Sequence, residues 1–315
     1  MGIVLGPNQY GKAEVRLVHV DRATPRHRIT DLTVTTQLRG DFSATHLTGD
    51  NAAVLATDTQ KNTVYAFARE HGVAEPETFA LLLGRHFLRS GAEIHGARIA
   101  IDAHPWERIP VADPGGTPGS TAGATRGHDH AFARAGAERR TTVVTLDGDA
   151  AWVVSGITDV VVLKSTGSEF HGFPRDRYTT LAETRDRILA TSVTARWRYA
   201  PAAGEGLDEL DFGGLFEHVR ATLLETFATT HSLALQQTLH AMGERVLQRF
   251  GDVAEVRLSM PNKHHFLVDL EPFGLDNPNT VFHAADRPYG LIEGAVLRDD
   301  GPPPGRAWDA VPGFT

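Results

Sequence analysis

The 315-residue sequence contains no cysteine. That absence excludes disulfides, iron–sulfur clusters, thiolate zinc sites and a thiol nucleophile together, and it fits a reducing compartment. No apolar run is long enough to span a bilayer; the longest, residues 150–163, is interrupted by Asp159. The start MGIVLG has neither the basic opening of a secretory signal nor the Ser or Thr at position 6 that myristoylation needs. Positive charge is not in surplus: 31 Lys and Arg face 39 Asp and Glu, a formal net charge of −8. A nucleic-acid binder shows the opposite balance. Any anionic ligand must be held by local donors rather than by the field of the whole chain. The expectation is a soluble, cytoplasmic protein with neither a nucleic-acid nor a membrane partner.

What is present is ordinary globular composition, 41% hydrophobic and 22% charged, and the length predicts about two domains. Residues 13–20 and 29–38 alternate as a β-hairpin does. A cluster of helix-capping types, Thr57-Asp58-Thr59, opens a helix that runs to His71-Gly72. Glu75-Pro76 opens a second, on which Phe79, Leu82, Leu83, His86 and Phe87 keep helical spacing as far as Gly91. Strands follow at 97–109 and 128–134, around a Gly-, Pro- and Thr-rich stretch, 113–127, that reads as a mobile loop. The order then recurs. Strands are expected at 141–146, 151–155, 160–164 and 191–199. Two helices follow, marked by Leu215, Phe216, Val219, Leu223 and Phe227, and by Leu235, Leu239, Met242, Val246 and Phe250. Ser232 is expected to cap the second of these and Gly251 to end it. Strands 253–259 and 264–270 close the unit. The pattern predicts an α+β protein of two units, residues 1–137 and 138–315, each an antiparallel sheet with a helix pair on one face. The open sheet edges call for closure, so an oligomer is expected.

Sixteen histidines invite a metal, but His128-Asp129-His130 lacks an evident third ligand and reads better as a solvated strand edge. His264 and His265 are consecutive on an expected strand and point to opposite faces, so they cannot share one ion. Residues 115–127 lack the glycine order and the Lys-Ser/Thr ending of a phosphate cradle. No metal site is expected. More informative is the stretch VVVLKSTGSEFHGFPRDRYTTLAETRDR from Val160, which carries an aromatic at Phe170 and ends on Arg187. Taken singly, a core Phe and a surface Arg would be the better reading. A second polar cluster, Pro261-Asn262-Lys263-His264-His265, lies between expected strands. Donor-rich segments converging near one aromatic suit a flat, polar heterocycle.

The run through Lys164, Ser165, Thr166, Ser168, Phe170, Phe173, Tyr178, Leu181 and Arg187 resembles the signature of the urate oxidase (uricase) family, spacing included. Tyr10-Gly11-Lys12, Thr57-Asp58 with Lys61-Asn62-Thr63, and Ser259-Met260-Pro261-Asn262-Lys263-His264 resemble further family motifs. The resemblance extends from about Tyr10 to Leu297. It implies tandem tunnelling-fold (T-fold) units assembled into a barrel-like homotetramer with sites between subunits. It also implies oxidation of urate by dioxygen, with water, to 5-hydroxyisourate and hydrogen peroxide, without metal or flavin.

On this resemblance Lys12, Thr57 and His264 form a proton relay. Arg187 and Gln236 clamp urate, Phe170 stacks on it, Asp58 and Leu235 border it through main-chain groups, and Asn262 faces the oxygen or water position. Gln237 stands beside Gln236, and the alignment with Thr238 and Met242 favours Gln236. The residue types suit the chemistry. Arginine offers two parallel N–H donors to a carbonyl and a ring nitrogen, which lysine cannot do, and glutamine gives a donor and an acceptor. An unassisted lysine amine is a poor base, so the relay must lower the barrier to its neutral form. Two rival readings are a pterin-type enzyme of the same fold, which would anchor its heterocycle with a Glu, and a non-catalytic purine-binding module. The second predicts loss of Lys12 or Thr57.

Overall fold

Leu32, Val34, Thr36 and Leu38, spaced by two, are all fully buried, and this alternation marks a strand with one face on a core. A computed structural model describes residues 2–112, 125–200 and 206–309 of the chain. These fall into two units, residues 2–112, 125–153, 206–208 and 304–309 in the first and 154–200 with 209–303 in the second.

The first unit contains β1 (Tyr10–Asp21), β2 (Arg28–Gly40), α1 (Ser43–Thr48), α2 (Thr57–His71), α3 (Pro76–Leu88), β3 (Ile94–Ala103), β4 (Trp106–Ala112), β5 (Thr125–Arg134) and β6 (Arg139–Asp147). Its antiparallel sheet has the order β1-β2-β3-β6, and β4 and β5 pair in a separate ribbon. α3 packs on β3 and β6, and α2 on β1. Phe79, Leu83 and Phe87 on α3, and Ile99, Ile101 and Val144 on the sheet it packs against, are all buried in the core. Glu75 and Pro76 open α3 as expected, with Pro at a position where its missing N–H breaks no bond.

The second unit contains β7 (Ala150–Lys164), whose first residues belong to the first unit, β8 (Leu189–Tyr199), α4 (Phe212–Thr229), α5 (Leu235–Arg249), β9 (Val253–Lys263), β10 (His265–Leu267), β11 (Phe282–Ala284) and β12 (Gly290–Leu297). Its sheet has the order β7-β8-β9-β12, with β10 and β11 as a second ribbon. α5 packs on β9, β12 and α4. Each unit thus runs strand, strand, helix pair, strand, ribbon, strand.

Several expectations are corrected. The sheet strands 151–155 and 160–164 are one strand, β7, interrupted by a bulge between Ile157 and Val160 where Asp159 takes a φ of 61°. Expected strand 97–109 divides into β3 and β4. Expected strand 264–270 shrinks to β10 in a ribbon, and β12 supplies the last sheet strand. The units divide after Val153 rather than after residue 137, because β6 pairs with β3 on the first sheet. Residues 113–124 of the expected loop lie outside the described residues, and residues 125–127 already belong to β5. The caps differ too: Ala56 precedes α2 and Ala234 precedes α5, neither with a side-chain cap, while Ser232 sits further back and Phe250 rather than Gly251 closes α5.

Glu77, in the first turn of α3, is fully buried and accepts from Nη2 of Arg140 at 2.6 Å and Oγ1 of Thr142 at 2.8 Å. It ties helix to sheet. Glu77→Ala strands part of the Arg140 charge and should cost about 3 kcal/mol, near the low end for breaking a buried pair because Glu75 also pairs Arg140. A lowered urea unfolding midpoint would show it.

Candidate functional site

The expected site residues fall into two groups. Lys12, Thr57 and Asp58 lie in the first unit; Phe170, Arg187, Leu235, Gln236, Asn262 and His264 lie in the second.

In the first group the Tyr10-Gly11-Lys12 motif is explained piece by piece. The Tyr10 hydroxyl accepts the N–H of Leu55 at 2.8 Å, and its ring meets Phe42 edge-on at 4.8 Å. That fixes the chain leading into α2. Gly11 lies so close to β2 that a Cβ would sit 1.8 Å from the carbonyl oxygen of Thr36, so no other residue fits. Lys12 pairs with Thr36, and the register then shifts before Val15 pairs with Val34, with Glu14 at a φ of 57°. Cross-strand partners share a face. Thr36 and Val34 are both buried, so the bulge turns Lys12 to the helix-covered side. Behind it, the N–H of Lys12 approaches Oγ1 of Thr36 at 3.4 Å, and that hydroxyl donates to Oε1 of the buried Gln60 at 2.7 Å.

Thr57 and Asp58 are the first two residues of α2. Among the described residues their N–H groups find no acceptor, as the first turn of a helix leaves its donors. The Asp58 carboxylate is turned to Lys61 and to Asn62, whose Nδ2 is 3.0 Å away. The hydrogen bond from Lys61 and then its charge hold the Asp58 carboxyl below the usual carboxylate range, with smaller contributions from Asn62 and from the charge of Lys12. Lys12 therefore feels the start of α2.

In the second group, Phe170 and Thr184 exchange backbone bonds of 2.9 and 3.0 Å, which folds the signature back on itself. Arg187 is bonded twice to Ser168, backbone N–H to carbonyl at 2.9 Å and Nε to Oγ at 3.2 Å. The Arg187 guanidinium carbon then stands 5.3 Å from the centre of the Phe170 ring, which stacks on Phe173 at 5.0 Å. Burial pushes the Arg187 pKa down from its ordinary value. No carboxylate partners it among the described residues, and its two terminal nitrogens keep their donors. A half-desolvated cation with unspent donors on an aromatic platform suits an anionic planar ligand.

Ser168 also forms a parallel bridge with Ser232. Ser232 in turn accepts from Oγ1 of Thr238 on α5 at 2.8 Å, so the signature and the start of α5 are joined. Leu235, buried, is the first residue of α5, and Gln236 is exposed beside it. Oε1 of Gln237 accepts the N–H of Leu233 at 2.8 Å. Gln237 is thus engaged with the backbone, and Gln236 has no partner among the described residues. Asn262, near the end of β9, pairs with Thr191 and Gly290. His264 follows at the break between β9 and β10, its ring 5.8 Å from that of Phe266. Since Arg187 lies two residues before β8, and Phe170 follows β7, all six residues gather at one end of the second sheet.

Residues that motif reading left without a role complete the scaffold. Lys164 donates to the carbonyl oxygens of Thr230 and Phe227 at the end of α4, where a cation is favoured. Burial lowers its pKa. Gln60 carries no pattern signal, because one buried polar residue on a helix looks like any other surface glutamine. A concavity in the first unit lined by Arg85, Arg89, His95 and Asp147 includes none of Lys12, Thr57 and Asp58.

A family model described as Uricase matches residues 8–145 and 153–293. Uricase of Arthrobacter globiformis is 54% identical over 312 residues, 99% of this chain and 96% of that protein. Uricase of Dictyostelium discoideum is 37% identical over 293 residues, 92% of this chain and 96% of its own. The crystal structure of uricase from Arthrobacter globiformis matches the fold with a TM-score of 0.86 at 55% identity, covering 95% of this chain and 96% of that one.

The two glutamines make a direct check. Gln237→Ala removes the acceptor for Leu233 and should destabilise the protein by about 1 kcal/mol, the usual net contribution of one hydrogen bond. Gln236→Ala should leave the thermal unfolding midpoint where it is.

Proposed function

The chain belongs to the uricase family, and from that membership we infer that it oxidises urate with dioxygen and water to 5-hydroxyisourate and hydrogen peroxide. Two electrons leave the ring for dioxygen, and the oxygen added to the ring comes from water. The observation that carries the reading is Arg187, held by Ser168 over Phe170 with its terminal donors unspent. Urate at neutral pH is a planar monoanion. Its carbonyl and adjacent ring nitrogen accept the two parallel N–H groups of Arg187, and Gln236 meets the opposite edge with an amide that both donates and accepts. Phe170 stacks on the ring and keeps water from one side.

The electron-rich form that dioxygen oxidises is the dianion, so a second proton must leave. Thr57 accepts that proton while passing its own to the neutral amine of Lys12, and His264 takes the charge onward. The N–H of Asp58, at the positive end of α2, faces the anion while its carboxylate stays with Lys61. Leu235 borders the ring through its backbone, and Asn262 faces the position where oxygen or water stands over it.

Residues of the two groups come together in the site of a homotetramer, each subunit supplying part of a wall. That the two groups lie in different units of the chain supports that reading. Among the described residues no helix is long and apolar enough to cross a membrane, and the absence of cysteine fits a cytoplasmic setting. The reaction runs on the protein's own groups, without a metal or an organic cofactor.

Metal-stripped protein mixed with urate and air should release hydrogen peroxide. Activity that disappears with a chelator and returns with added metal would overturn the cofactor-free reading. Lys12→Met should lower kcat by roughly 100-fold, within the usual range for losing a general base, while KM changes little. Arg187→Ala should mainly raise KM, because the clamp serves the bound ground state as much as the transition state. Steady-state kinetics separates the two.

A further inference from the structure

One carboxylate stands beside the stacking ring with no role in the reaction above. Glu169 lies between Ser168 and Phe170, and in an extended segment alternate side chains face opposite ways. Ser168 and Phe170 both meet Arg187; Glu169 turns the other way, to the connection between α4 and α5. There its Oε1 accepts from Nε2 of His231 at 2.7 Å, and its Oε2 accepts from Nε2 of His171 at 3.0 Å. Nη1 of Arg185 stands 3.8 Å from Oε2 and 3.5 Å from the His171 nitrogen. The backbone N–H of Glu169 donates to the carbonyl of Ser232, next to His231, at 2.7 Å. The Glu169 side chain is 16% exposed and that of His231 58%, so the carboxylate lies beneath its donors.

We propose that Glu169 is a positioning residue for urate: bonded to His231 and His171, it locks the segment carrying Phe170 to the connection that starts α5 and so sets the distance between the Phe170–Arg187 platform and Gln236. The inference rests on the urate reading above. His231 lies in the short connection before Leu235, so the bond from Glu169 adds to the Ser168–Ser232 bridge in setting where α5 begins. His171 fixes the far side of Phe170, on the turn that brings Phe173 beneath it. The same donors offset a negative charge one residue from the ring on which an anion would stack. An unpaired carboxylate there would oppose urate; one covered by two imidazole N–H groups and Arg185 does not.

The test is steady-state kinetics by peroxide release on wild type, Glu169→Ala, Glu169→Gln, His231→Ala and the E169A/H231A double variant. E169A should raise KM roughly tenfold, the effect of losing a charge-assisted hydrogen bond, with kcat within about twofold of wild type because it leaves the relay untouched. In E169Q the amide oxygen still accepts from one imidazole, so most of the loss should be recovered. H231A should raise KM severalfold, and the double variant should be no worse than E169A, as partners in one contact are non-additive. Unchanged KM in E169A, a fall in kcat alone, or fully additive losses in the double variant would overturn the proposal. Should E169A not fold, H231A decides: an unchanged KM there sinks it. Wild-type protein that makes no peroxide from urate overturns the activity reading itself, which an active wild type with an unaltered E169A leaves standing.

Discussion

Ser168 is wholly buried, and its bonds hold together what would otherwise be three unrelated pieces of chain. Its carbonyl and hydroxyl both accept from Arg187. Its flanking peptides, at Gly167 and Glu169, exchange bonds with Ser232 at 3.0 and 2.7 Å. The hydroxyl matters here: alanine would leave the Arg187 Nε without this acceptor. The placement of Arg187 over Phe170, and the start of α5 beside them, both follow from that one position. Buried polar groups of this kind must be satisfied as a set or not at all, which makes the end of the second sheet stiff before any ligand arrives.

Much of this was legible in the sequence. The helices were readable because their buried residues recur at 3.6: Val219, Leu223 and Phe227 on α4, and Leu239, Met242 and Val246 on α5, are all in the core. The strands of the sheet interiors were readable because Leu32, Val34 and Leu38, or Ile99 and Ile101, alternate with half-exposed partners. The repeat of two units followed from the order of these elements. The family resemblance rested on separated motifs whose spacing no single-element argument supplies.

What escaped has physical reasons. A bulge shifts the alternation by one residue, so β7 reads as two strands when it is one. The last strand of each sheet lies across a ribbon from its neighbour, so chain order alone pointed to residues 264–270 where β12 is the true partner of β9. Capping types near Ser232 and Thr57 suggested caps, but buried hydroxyls can bond across elements instead, as Ser232 does with Thr238. The support beneath Lys12, Thr36 and Gln60, is invisible to pattern because it joins a strand to a helix that are far apart in sequence.

The bulge in β1 has a further meaning. Lys12 and Val15 are an odd number of residues apart, so in an unbroken strand they would point to opposite sides, and the amine would face away from α2. The extra residue accommodated at Glu14 cancels that parity. The chemistry of the first group is thus written partly in chain length: a strand of this same length that paired without the bulge would leave every motif letter intact, yet rotate the lysine out of its own site.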